Sequence, residues 1–190
     1  MNELVRNAVA ESVRLKESFF GANEDLIVQV AREICRALEN GNKVLIFGNG
    51  GSAADAQHFA AEMVGRFVRE RRPLAAIALT TDTSILTSVG NDYGYEQVFA
   101  RQIRALGRPG DVAIGISTSG NSPNVCEATA IAREMGLVTV AFTGSDGGKL
   151  GRAVQYHLHV PHRSTARVQE VHIMIAHILC ELMDANLKDL

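Results

Sequence analysis

Between Val44 and Phe67 the chain reads VLIFGNGGSAADAQHFAAEMVGRF, and this stretch restricts the fold more than any other. The short apolar run Val44 to Phe47 has the length and composition of a buried strand. It stops at Gly48-Asn49-Gly50-Gly51-Ser52, where glycines let a ligand approach the backbone. Ala53 to Phe67 follows with good helix formers and no proline, so a helix is predicted. Strand, glycine turn and helix together build an anion site, because the first helical N–H groups have no partner within the helix and face the ligand. His58 and Glu62 lie four residues apart on that helix and share a face. By spacing alone the pair is either an acid, base or metal pair or an exposed polar face. Phe59, Met63 and Phe67 show that part of the same helix is buried.

From Lys43 onward strands and helices alternate. Strands are predicted at Lys43–Phe47, Ala75–Leu79, Asp111–Ile116, Leu137–Phe142 and Tyr156–Val160. Helices are predicted at Ala53–Phe67, Thr83–Val89, Tyr95–Leu106, Pro123–Met135 and Thr165–Leu187. Alternation with apolar strands implies an α/β fold whose parallel sheet is covered on both faces. Ligands of such folds bind beyond the carboxyl ends of the strands, where strand order reverses.

Two helices are predicted before the first strand. Leu4, Val5, Val9, Val13 and Phe20 recur at helical spacing in residues 1–20, and Leu26, Val30, Ile34 and Leu38 form a stripe in residues 24–40. Gly21-Ala22-Asn23 reads as the break between them and Gly41 as the stop. These helices stand outside the repeating part of the fold, so packing on another subunit is the expected use of their apolar faces. The chain reads as a single domain, with residues 1–41 as the helical lead and 42–190 as the α/β core.

The 190 residues are 46% hydrophobic and 21% charged, enough for a sizeable core. A formal net charge of −2 offers no nucleic-acid surface and no polybasic membrane anchor. The densest basic stretch, Arg66 to Arg72, reads as a solvated helix end. No apolar run approaches the roughly 18 residues of a membrane span. The opening MNELVRNAVAES lacks the apolar centre of a signal peptide. Cys35, Cys126 and Cys180 are far apart with no CxxC, as expected of reduced thiols in a cytoplasmic protein.

The loop after the third strand, Ser117-Thr118-Ser119-Gly120-Asn121-Ser122, puts four hydroxyls before Pro123. Ser122 suits a helix N-cap and Pro123 the first helical position. Hydroxyls, a glycine and a helix N-terminus at a strand end make a phosphate cradle that needs no lysine. Asn91-Asp92 is expected in a short loop between helices, a pairing that by itself only shapes a turn. Gly48-x-Gly50-x-x-Ala53 mimics a dinucleotide fingerprint, but the second strand ends Ala78-Leu79-Thr80-Thr81 with no acidic residue. Gly144 to Lys149 ends in Gly-Lys, yet Thr143 and Leu150 stand where a nucleoside-triphosphate loop needs glycine and a hydroxyl. In the last helix Gln169 and His177 are eight apart and offset by only about 80°, so both can reach one site. His172 reads as a buried or interface histidine, and His157, His159 and His162 as structural.

Five blocks carry a wider resemblance: GNGGSAADAQHFAAEMVGRF, LTTDTSILTSVGNDYGYEQVFARQ, GISTSGNSPNV, TGSDGGKL and TARVQEVHIMIAHILCEL. In this order they resemble the sugar isomerase (SIS) domain family and, within it, the phosphoheptose isomerases. The resemblance implies a three-layer sandwich around a five-stranded, flavodoxin-like parallel sheet. It implies a ketose–aldose isomerisation of D-sedoheptulose 7-phosphate to D-glycero-D-manno-heptose 7-phosphate, the entry to activated heptose for surface polysaccharide. Ser117, Thr118, Ser119 and Ser122 would hold the sugar phosphate. Asn49, Gly50, Gly51 and Ser52 would line the sugar, with Asn91 and Asp92 beside it. Zinc in each subunit would be held by the positions matching His58, Glu62, Gln169 and His177, and homotetramers would complete the sites. A carboxylate and an imidazole suit enediol chemistry, which moves a proton between neighbouring carbons. Glu62 and His177 are the candidates.

The chain departs from many such isomerases at Pro161-His162-Arg163-Ser164, where they carry a more acidic or serine-rich stretch. This variant resembles a sister branch that binds the bacterial replication initiator and is not known as an enzyme. That branch lacks the carboxylate and histidine matching Glu62 and His177, which this chain keeps, so catalysis is the favoured reading. An isomerase or sensor of another sugar phosphate is the third class, weakened by the lack of a further domain.

Overall fold

The computed structural model describes residues 1–187. Five strands form one parallel sheet in the order β2-β1-β3-β4-β5: β1 Val44–Gly48, β2 Ala76–Ala78, β3 Val112–Ser117, β4 Val138–Thr143 and β5 Tyr156–His159. Every residue of β1 and β3 is buried, which explains why those segments read as unbroken apolar runs. Side chains alternate between two cores. Val44, Ile46, Ile114 and Phe142 join one cluster, while Leu45, Phe47, Ala113 and Ala141 join the other. The first cluster is covered by α1 (Asn2–Glu39), α2 (Gly51–Val64) and α7 (Thr165–Asn186). The second is covered by α4 (Ala100–Leu106), α5 (Pro123–Glu134) and the short α6 (Gly148–Ala153), while α3 (Thr83–Tyr93) has no fully buried residue and packs Leu86 and Val89 against its margin. This is the expected three-layer α/β architecture.

The lead differs from expectation. The two helices expected before the first strand are one helix, α1, of 38 residues and about 57 Å. Gly21 does not break it, because a mid-helix glycine costs only about 1 kcal/mol against alanine. Asn23 Nδ2 donates back to Phe19 O at 2.8 Å across the same turn. Burial in α1 starts at Phe19, while Leu4, Val5, Val9 and Val13 stay exposed. The expected helix at Tyr95–Leu106 divides into a 3-10 turn, Tyr95–Gln97, followed by α4. Asn91 and Asp92 are not in a loop; they belong to the last turn of α3.

Arg66 to Arg72 also departs from a solvated helix end. The helix stops at Val64, and Arg71 is buried with its side chain fully enclosed. No helix among the described residues is long and apolar enough to cross a membrane.

Candidate active site

The sheet order reverses between β1 and β3, so the loops leaving their carboxyl ends flank the switch point. Those loops are the glycine turn and the hydroxyl loop. Ser117, the last residue of β3, is buried, and its Oγ lies 2.9 Å from Ser122 Oγ and 3.4 Å from Ser119 Oγ. Asn121 N donates to Ser119 Oγ at 3.2 Å. Ser122 holds the N-cap position of α5 as predicted, with Pro123 behind it, but its hydroxyl makes no cap bond and turns inward to Ser117. Three hydroxyls thus converge at a helix N-terminus, with Thr118 half-buried beside them.

A second loop braces this one. Leu150 N donates to Gly120 O at 2.9 Å, and Lys149 N donates to Asn121 Oδ1 at 3.1 Å. Gly120 has φ +64°, and a Cβ there would collide with Gly147 O, so only glycine fits. The Gly144–Lys149 segment, rejected as a nucleotide loop, is therefore the buttress of the hydroxyl loop. The helix it starts, α6, has only six residues and escaped periodicity analysis.

Asn49, in the glycine turn, exchanges two hydrogen bonds of 2.9 Å with Asn124 in the first turn of α5. Tyr95 Oη donates to Asn49 Oδ1 at 3.3 Å. Asn124 is buried and joins the two loops; sequence reasoning missed it, and its place two residues after the cap was the available signal. Ser52 is buried in the first turn of α2. Gln169 reaches across from α7 and packs on Gly51, where any Cβ would collide with its amide. Asn91 and Asp92 are exposed, and their side chains bond to each other at 2.7 Å rather than to the other candidates.

About two turns further along α2, at the surface, α2 and α7 bring the acid–base candidates together, with the His58 side chain 47% exposed. His58 Nε2 lies 3.1 Å from Glu62 Oε1 and 3.5 Å from His177 Nε2. The two imidazoles meet edge to face with centroids 5.1 Å apart, and Phe67 stacks on His177 with centroids 5.7 Å apart. His58 Nε2 cannot donate to Glu62 and accept from His177 through one atom at once. A cation would relieve this conflict by taking a lone pair from each nitrogen. Ligands at 2.0–2.1 Å around a tetrahedral zinc sit about 3.4 Å from one another, close to both spacings. The donor types of His58, Glu62 and His177, and the two distances made by His58, are therefore those a metal would accept. As they stand, no three His, Cys, Asp or Glu side chains among the described residues enclose a common point.

The remaining histidines have protein partners. His157 Nε2 meets Thr143 Oγ1 at 2.7 Å, His159 Nε2 meets Ser145 O at 3.0 Å, and His162 Nε2 meets Glu11 Oε1 at 3.4 Å. His172 is buried and bonds Thr143 O at 3.1 Å. The thiols of Cys35 and Cys180 are buried, and burial pushes them up to about 11 and about 12, away from reactivity.

A family profile for the SIS domain matches residues 9–144. The phosphoheptose isomerase of Aquifex aeolicus is 57% identical over 184 residues, covering 97% of this chain and 96% of its own. The solved structure of the phosphoheptose isomerase from Neisseria gonorrhoeae superposes with a TM-score of 0.92 at 50% identity, over 97% of this chain and 98% of that one. That of the Francisella tularensis enzyme gives 0.93 at 38% identity with the same coverage. The chain belongs to the SIS domain family, in its phosphoheptose isomerase branch.

Proposed function

We propose that the protein is a ketose–aldose isomerase that interconverts D-sedoheptulose 7-phosphate and D-glycero-D-manno-heptose 7-phosphate. The observation that carries this reading is the meeting of Glu62 from α2 with His177 from α7 through His58, at spacings of 3.1 and 3.5 Å. The relatives named phosphoheptose isomerase, at 50–57% identity, support it.

The chemistry uses these residues as follows. Ser117, Thr118, Ser119 and Ser122 hold the phosphate and so fix the far end of the sugar. Asn49, Gly50, Gly51, Ser52 and Gln169 line the chain of hydroxyls, with Asn91 and Asp92 at the margin. The proton leaves C1 of the ketose, giving an enediol, and returns at C2 of the aldose. Glu62 and His177 are the pair that takes and returns protons at carbon and oxygen. Zinc held by His58, Glu62, Gln169 and His177 would polarise the carbonyl or stabilise the enediolate. Glutamine is a weak ligand, and Gln169 would have to leave its packing on Gly51 to join the set.

Incubation with sedoheptulose 7-phosphate tests the reading directly. Chromatographic separation of the isobaric products should show the aldose. Its absence from assembled, metal-replete protein would reject the proposal. Protein purified without chelator should contain zinc by elemental analysis and scatter light as a homotetramer, with the exposed Leu4, Val5, Val9 and Val13 of α1 covered between subunits. A metal-free or monomeric protein at micromolar concentration would remove that part.

Ser119→Ala should raise KM about 10-fold with little change in kcat, the scale of one hydrogen bond to a charged group. Ser119 is exposed, so the fold should tolerate the change. An unaltered KM would count against the cradle.

A further inference from the structure

Arg71 is a buried cation that the reaction described above does not use. Its side chain is fully enclosed, and Asp184, its partner from α7, is 4% exposed. Such a pair is costly unless every donor and lone pair is satisfied. Here they are. Arg71 Nε donates to Asp184 Oδ1 at 2.7 Å, Nη2 to Glu62 O at 2.8 Å and Nη1 to Met63 O at 2.8 Å. Asp184 Oδ2 accepts from Val68 N at 3.1 Å and Arg69 N at 3.2 Å. Burial alone would raise the Asp184 carboxyl, but these hydrogen bonds outweigh it and hold the group below the usual carboxylate range.

The location matters more than the strength. The guanidinium caps the C-terminal carbonyls of α2, including that of Glu62 itself. Asp184 is seven residues beyond His177 and offset by only about 20° around α7, so the two share a face. The segment gathered by Asp184 begins just after Phe67, the ring that stacks on His177 with an interplanar angle of 25°. One ion pair thus touches the backbone of the Glu62 helix, the face of the His177 helix and the loop that backs the His177 ring.

We propose that Arg71 and Asp184 are positioning residues for the acid–base pair. They lock α2 against α7 and Phe67 against His177, which sets where Glu62 and His177 stand relative to the sugar. This rests on the isomerase reading above. Small misplacement of a catalytic group lowers turnover steeply, whereas the hydroxyl loop on β3 and α5 has no contact with the pair.

Two variants test it in the full-length protein. Arg71→Met with Asp184→Leu replaces the pair by apolar side chains, an exchange that buried ion pairs often tolerate in stability. Asp184→Asn keeps the shape and removes the charge, and it carries the same readouts if the double variant does not fold. The double variant should melt closer to wild type than Asp184→Asn, which leaves Arg71 buried without its counter-charge and should melt about 10 °C lower while still folding. Both should lose about 10- to 100-fold in kcat with KM changed less than about 3-fold. The His177 ring resonances in NMR, shifted by the Phe67 ring, should move. A folded variant with wild-type kcat and an unmoved His177 signal overturns the proposal, as does a loss confined to KM. If wild-type protein fails to isomerise the heptose phosphate, the isomerase reading falls. The His177 signal then decides the positioning role alone: displaced in the variants it stands, unmoved it fails.

Discussion

Glu62→Gln is expected to lower turnover by about 100-fold or more, the usual scale for losing a general acid or base. KM should change much less, because the phosphate is held elsewhere, by hydroxyls on the β3–α5 loop. Glutamine keeps the length and volume of the side chain and can still bond His58 across the 3.1 Å gap. It cannot accept and return a proton. The capping bond of 2.8 Å from Arg71 goes to the backbone carbonyl at residue 62, so it survives the substitution. The α2–α7 interface should therefore stay closed, and the loss should be one of chemistry. Metal content must be measured on the same preparation, since the carboxylate is also a proposed zinc ligand. A variant that retains wild-type turnover would show that Glu62 has been given the wrong role. One that loses both metal and turnover, and regains turnover on added zinc, would move Glu62 from proton transfer to metal binding.

What could be read without coordinates divides along a physical line. Local signals survived. The apolar runs of β1 and β3 are continuous because helices cover both sheet faces, and the glycine turn and hydroxyl loop sit where strands end. The spacing of His58 and Glu62 is set by helix geometry alone. Signals that depend on partners far along the chain did not survive. Arg71 looks like one more solvated arginine because its partner Asp184 is 113 residues away. Asn124 looks like an ordinary first-turn residue because Asn49 lies 75 residues earlier. The break expected at Gly21 failed for a different reason. A glycine penalty of about 1 kcal/mol is small against the cooperativity of a long helix whose second half is buried. The meeting of His177 with His58 spans 119 residues, and helix phase could show only that Gln169 and His177 reach one side.

Acidification should cost this fold about 3 kcal/mol between pH 6.5 and pH 4, through His172. The side chain is 1% exposed, and its Nε2–H donates to Thr143 O at 3.1 Å. Its other ring nitrogen, Nδ1, is buried with no partner. Protonation would therefore place a charge in the core with no acceptor for the new N–H. Burial pushes the group from 6.5 down to about 4, against a smaller opposing effect of the Thr143 carbonyl. Between those values the unfolded chain binds the proton and the folded chain does not. Stability is thus complete above pH 6.5 and declines as pH falls towards 4. Asp111 and Asp184, both held below their ordinary range by hydrogen bonds despite burial, add losses of the same sign in still more acidic solution. Urea unfolding at fixed protein concentration separates the histidines from the carboxylates; His157, held below its ordinary range by burial and by His159, adds a loss of the same sign above the carboxylate range. His172→Gln keeps a donor for Thr143 O and removes its titration, so from pH 6.5 to 4.5 its stability should fall less steeply than that of wild type, with only the His157 loss remaining. Wild type should lose about 2 kcal/mol more than the variant over that interval, roughly a 40-fold shift in the folding constant. Parallel curves for the two proteins would mean that His172 is not the titrating group, and that the core around Thr143 admits either a proton or water.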